Sequence, residues 1–127
     1  MKPGEAALAA ARAALGARFR LHGRDPATGL DCVGLAAFAF RAEVPRDYAL
    51  RSGDAERVRA EVSALGLVPA GEPRAGDLLL LRTGPGQLHL AIDSKAGIIH
   101  ADAMLRRVVE RPGAIPWPVI GRWRKGE

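Results

Sequence analysis

Cysteine is almost missing from this chain. Cys32 is the single one among 127 residues, so no internal disulfide braces the fold, and the thiol must be buried, metal-bound or reactive. Aromatic residues are scarce at 5%, and no recognised basic recognition motif accompanies them, which removes support for nucleic-acid binding. No apolar run approaches the roughly 18 residues of a membrane span. The alanine-rich opening MKPGEAALAAARAALGA superficially resembles a secretory leader, but Glu5 and Arg12 interrupt its apolar stretch, so it reads as a surface helix and no signal peptide is expected. A target outside the cell would then require another component to export or deliver the chain. Neither CxxC nor HExxH spacing occurs, and there is no internal repeat, low-complexity tract or linker.

What is present is enough for one hydrophobic core. With 48% hydrophobic residues, the length suits one domain over residues 1–127 and is too short for two. Nineteen Lys and Arg against fourteen Asp and Glu leave a net charge of +5, which favours solubility and contact with acidic surfaces without naming a partner.

Residues 3–15 have a helical pattern, with Leu8, Ala11 and Leu15 on one stripe and Gly16 suited to a C-terminal cap. Residues 18–30, RFRLHGRDPATGL, read as a loop through Gly23, Pro26 and Gly29. Asp31 is then an N-cap for a helix over 32–42, whose Val33, Leu35, Phe38 and Phe40 leave almost no polar face. Gly34 inside that helix costs about 1 kcal/mol relative to alanine, which points to close approach of another backbone or a ligand. A third helix is expected over 54–65, ended by Gly66. Short strand-like runs follow at 77–82, 88–93, 97–102, 106–111 and 119–124. Helices first and an antiparallel meander second predict an α+β fold, N-terminal helices packed on a C-terminal sheet of about five strands.

A helix N-terminus is where a thiol pKa can be lowered, and Cys32 stands directly after the N-cap, so a reactive thiolate is expected there. The chain has only three histidines, His22, His89 and His100. If residues 94–97 form a four-residue turn, Asp93 pairs with Ile98, Ala91 faces His100 and His89 faces Asp102, so that His89 and His100 are diagonal neighbours on one sheet face. A cysteine, a histidine and a third group orienting the imidazole form the minimum nucleophilic apparatus for amide cleavage. Zinc ligation by Cys32, His89, His100 and Asp102 is the alternative use of these side chains. Their scattered spacing argues against it, and no metal or cofactor is expected.

Asp31-Cys32 at a helix start, the Gly-Asp pair of RAGDLLLL, the strand motif HLAI and the next-strand motif IIHA occur in an order that resembles the NlpC family of cell-wall cysteine endopeptidases. The resemblance runs over nearly the whole chain. The stretch GARFRLHGRDPATGLDCVGL is similar to the branch carried by phage-like particles and gene transfer agents. It implies a papain-like fold and hydrolysis of peptidoglycan stem peptides, typically between D-glutamate and diaminopimelate. It further implies Cys32 as nucleophile, His89 as base and His100 as the third polar residue. Two positions depart from the family pattern: Val33 replaces the usual serine after the cysteine, and Phe19 replaces the usual tyrosine of the preceding loop, removing a hydroxyl near the oxyanion. Arg20, His22 and Arg24 are candidates to compensate, and the loop arginines to hold substrate carboxylates. Asp31 and Val33 complete the set of oxyanion and substrate-binding candidates. The partners so implied are stem peptides and phage-like tail or delivery proteins, and the place of action is the cell wall or periplasm. An acyltransferase or small amide hydrolase on the same thiol fold, and a non-catalytic envelope-binding or tail-structural module, are the rival readings.

Overall fold

Asp31 and Asp54 each open a helix by accepting a backbone N–H three residues on, from Gly34 at 2.8 Å and from Arg57 at 3.1 Å. Such caps satisfy N–H groups that a helix start leaves without a partner. The computed structural model describes residues 1–44 and 54–126. Helix α1 is Pro3–Ala13, α2 is Cys32–Phe40 and α3 is Ala55–Ala64. In α1 the buried stripe is Ala7 and Ala11, continued by Ala14, whereas Leu15, expected on the stripe, is 39% exposed. Methyl-sized side chains let α1 lie closely against α2. Helix α2 is buried all round except at Phe38, as its unbroken apolar sequence requires.

The region expected as a plain loop before Cys32 contains a two-stranded antiparallel ribbon, β1 (Arg24–Asp25) and β2 (Gly29–Leu30). Among the described residues the main sheet has six strands rather than about five. They are β3 (Leu67–Pro69), β4 (Leu78–Gly84), β5 (Gln87–Asp93), β6 (Gly97–Asp102), β7 (Arg107–Pro112) and β8 (Val119–Lys125). The additional strand, β3, is short, mostly exposed and at the sheet edge, so it carries little alternating pattern. The order β3-β8-β4-β5-β6-β7 also departs from a simple meander. Strands β4 to β7 follow one another, but β8 returns to the far side of β4 and lies between it and β3.

Helices thus pack on a C-terminal antiparallel sheet in a papain-like α+β arrangement. Leu78, Leu80, Leu90, Ile92, Ile99 and Ala101 share the larger core with the helices, and Leu79, Leu81, Ala91 and Ile98 form a second cluster with Ile115 and Trp117. The run LLLL in β4 is buried on both faces, each leucine at 1% exposure or less, and each contributes roughly 2 kcal/mol of burial. The Gly-Asp pair before it is structural. Asp77 is buried and accepts from Arg122 at 2.8 Å and from Arg124 at 3.0 and 2.9 Å, while Arg122 also reaches Asp93 at 2.7 Å. This network ties β8 to the starts of β4 and the end of β5. Among the described residues no helix is long and apolar enough to cross a membrane.

Candidate active site

The start of α2 is clamped from the preceding ribbon. Asp31 Oδ1 accepts the Gly34 N–H, Asp31 Oδ2 accepts the His22 N–H at 2.7 Å, and Arg24 donates to Asp31 Oδ1 at 3.3 Å and to the Gly23 carbonyl at 3.0 Å. A Cβ on Gly34 would sit 1.9 Å from the Gly23 carbonyl oxygen, and one on Gly23 would sit 2.2 Å from that of Gly29. The mid-helix glycine is therefore explained by a backbone at close approach, and only hydrogen at these positions lets the ribbon seat on the helix.

With Gly34 N–H taken by the Asp31 side chain and Leu35 N–H by the Asp31 carbonyl at 2.8 Å, the first N–H groups of α2 that remain are those of Cys32 and Val33. Both lie against the Cys32 sulfur, as does the Leu90 N–H of β5. The β5–β6 ladder runs through Asp93↔Ile98 and Ile92↔Ile99. Beyond that the strands part, and the sulfur rather than a β6 carbonyl meets the Leu90 N–H. Helix α2 packs on both β5 and β6, and its first residue meets β5 at Leu90, the residue next to His89.

The turn register expected from sequence is the one observed, with Asp93 opposite Ile98. It brings His89 Nε2 to 2.9 Å from His100 Nδ1. The rings meet edge to face, centroids 5.1 Å apart. His100 is buried at 3% exposure; its Nε2 has no hydrogen-bond partner among the described residues and lies 3.9 Å from Asp102 Oδ2. Trp117 covers the pair, its ring 6.1 Å from His89 and 5.8 Å from His100, and Arg111 lies over that ring at 5.7 Å.

The electrostatics reverse one expectation. Burial pushes the Cys32 thiol up to about 12, the adjacent Asp31 carboxylate adds to the rise, and the N–H groups of Leu90, Val33 and Cys32 only partly oppose it. A helix start lowers a thiol pKa when water still reaches the sulfur; here desolvation of the anion outweighs the partial positive charge of the helix end. Burial also lowers His89 to about 4, with His100 acting in the same direction and Asp102 against it. His100 is lowered by burial and by Arg111, against Asp102. At neutral pH the resting site therefore holds a protonated thiol and neutral imidazoles, not an ion pair.

The other candidates divide by position. Val33 is buried in the core. Phe19 is half-buried against it, bridged to Leu30, with its N–H on the Arg106 carbonyl at 2.9 Å. Arg20 and His22 are exposed on the ribbon side. Arg24 and Asp31 are engaged with each other, which makes them part of the frame around the helix start. Trp117 and Arg111 were not singled out from sequence. The signal for Trp117 was a tryptophan between two prolines, IPWP, in an aromatic-poor chain. Among the described residues no three His, Cys, Asp or Glu side chains are grouped so as to hold a metal ion.

No protein-family model and no curated protein matches this sequence. Solved structures do. The NlpC/p60 domain of the peptidoglycan hydrolase SagA is 22% identical with a TM-score of 0.59, the match covering 98% of each chain. NlpC1 from Trichomonas vaginalis is 23% identical with a TM-score of 0.68, covering 96% of this chain and 45% of that one, so this chain spans less than half of that protein. RipD from Mycobacterium tuberculosis, described as a non-catalytic NlpC/p60 domain protein adapted to peptidoglycan binding, is 17% identical with a TM-score of 0.61, covering 100% and 99%. At these identities the likeness establishes a shared fold.

Proposed function

We propose that this chain is a single-domain member of the NlpC family, a cysteine endopeptidase that hydrolyses an amide bond of the peptidoglycan stem peptide, between D-glutamate and diaminopimelate. The observation that carries the reading is the 2.9 Å contact of His89 Nε2 with His100 Nδ1, with the sulfur of a helix-opening cysteine on the N–H of Leu90, the residue next to His89. Fold likeness to a peptidoglycan hydrolase such as SagA supports it. The reading places the protein at the cell wall, delivered there by a phage-like tail or a comparable particle, as the resemblance of residues 16–35 to the particle-borne branch implies.

The chemistry follows from which atoms are occupied. His89 Nε2 is engaged with His100, which leaves Nδ1 to take the thiol proton. Because the thiol rests protonated, transfer and attack are coupled. The S–H proton moves to His89 Nδ1 as sulfur bonds the carbonyl carbon and the carbonyl pair moves onto oxygen. The N–H groups of Cys32 and Val33 are the donors for that oxyanion, each of the order of 3 kcal/mol in hydrolases. Collapse breaks the C–N bond, and the leaving amine takes the proton from the His89 imidazolium. Water deprotonated by His89 then attacks the thioester, and the thiolate leaves and is reprotonated. Val33 serves through its backbone N–H, which its departure from serine leaves in place.

A second reading is favoured by the resting thiol: a sulfur pushed up to about 12 fits a wall-binding module without turnover, the function RipD's description gives that protein. Mass spectrometry of muropeptides incubated with wild type and with Cys32→Ala decides. New stem-peptide fragments with wild type alone support the endopeptidase. Retention on sacculi with no fragments from either protein supports the binding module, and turnover of another amide or ester in place of muropeptides supports an acyltransferase or amidase.

A further inference from the structure

The buried Nε2 of His100 has no hydrogen-bond partner among the described residues, although the ring is 3% exposed. A carboxylate stands near it. Asp102 Oδ1 is fixed by the N–H groups of Met104 at 2.8 Å and Leu105 at 3.0 Å, and its other oxygen, Oδ2, lies 3.9 Å from His100 Nε2. Asp102 is two residues beyond His100 on β6, hence on the same face. We propose that Asp102 is a positioning residue that sets the tautomer of His100 and, through it, of His89, completing a chain Asp102, His100, His89, Cys32.

The argument is one of counting protons, and it rests on His89 being the base toward Cys32. A neutral imidazole carries one N–H. If His100 carried it on Nδ1, His89 Nε2 would have to accept, His89 would be protonated on Nδ1, and the nitrogen facing its task as base would hold a proton already. The lone pair of His100 Nε2 would then be turned toward the Asp102 carboxylate. If His100 carries the proton on Nε2, that proton faces the carboxylate, Nδ1 accepts from His89 Nε2–H, and His89 Nδ1 is a free lone pair. Only the second arrangement suits both the carboxylate and the base. The other groups facing His100 do not replace this control. His89 approaches from β5 and is neutral, Trp117 is uncharged, and Arg111 from β7 disfavours a positive imidazole. Arg107 of β7 is the cross-strand partner of Asp102 itself. Once His89 has taken the thiol proton, the same carboxylate offsets the imidazolium charge across His100.

The test is nitrogen NMR of the full chain labelled at histidine, without substrate, for wild type, Asp102→Asn and Asp102→Glu. Asparagine keeps an oxygen for the Met104 and Leu105 N–H groups, so the turn is retained. Wild type is expected to show both rings protonated on Nε2, and Asp102→Asn a mixture of tautomers in both, with Asp102→Glu restoring part of the wild-type signature. Against muropeptides, Asp102→Asn is expected to lose about 10-fold or more in kcat at unchanged KM, with its acid limb moved to lower pH. Unchanged tautomers in Asp102→Asn, or a wild-type His100 protonated on Nδ1, would overturn the assignment even if muropeptides are cut. A tautomer shift in a protein that cuts no muropeptide supports the assignment and overturns the endopeptidase reading alone.

Discussion

His89 Nε2 and His100 Nδ1 lie 2.9 Å apart although the two residues sit on strands that have already stopped pairing. The contact is thus made by side chains across an opening in the sheet, and one ring can donate to the other only if the two have complementary protonation. That asymmetry should be visible in mutants. His89→Ala is expected to reduce muropeptide cleavage by about 10³-fold, the usual range for a lost general base. His100→Asn is expected to retain part of the activity, since an amide oxygen still accepts the His89 N–H. Equal losses in the two variants, measured as kcat/KM, would remove the distinction between base and orienting group.

The thiol should be slow in the free protein. With its pKa pushed up to about 12 by burial, Cys32 is expected to alkylate at pH 7 at least about 10-fold more slowly than a free cysteine, the rate still climbing above pH 9. A pH series with iodoacetamide reads this directly. Fast alkylation near pH 6 would restore the thiolate expected from the helix start alone.

Acid should destabilise the fold through the histidines. His89 is lowered to about 4 in the folded chain against about 6.5 when unfolded. Between these values the unfolded state binds more protons, so its folding contribution is full above about pH 6.5 and is lost as pH falls through about 4. The loss amounts to roughly 3 kcal/mol. Urea titrations of wild type and His89→Gln from pH 7 to pH 4 check it, with the variant expected to show the shallower dependence. Parallel curves would place the acid sensitivity elsewhere.

Asp77 should matter for stability and not for chemistry. Removing its carboxylate leaves Arg122 and Arg124 without their shared buried partner, an arrangement that typically costs about 3–5 kcal/mol. Asp77→Ala is expected to lower the thermal midpoint sharply. A midpoint within a few degrees of wild type would mean that Asp93 alone holds Arg122 in place.

The elements that sequence made legible are those with a local signal. Asp31 marks the start of α2 and Gly66 the end of α3, and the strand register around Ser94 follows from turn length and side-chain alternation. The buried stripe of α1 was misjudged because hydrophobic size suggested Leu15, whereas close packing on α2 selected the alanines. Strand β3 and the placement of β8 were hidden because pairing between distant segments leaves no periodic trace in either of them. At the site, the His89 and His100 contact was readable from parity. The raised thiol was not, since desolvation depends on what closes over the sulfur, and neither was Trp117, which reaches the imidazoles from an irregular segment.

The placement of β8 also bears on how the chain matures during synthesis. Its residues 119–125 fill an interior position of the sheet, yet they leave the ribosome after every other strand among the described residues. Until then β4 carries an open edge and Asp77 lacks both arginines. Pairing of β4 on both of its edges therefore waits for the segment 119–125. A fragment stopped at residue 118 is expected to show no protected amides in β4 by hydrogen exchange; native-like protection there would contradict this order of events.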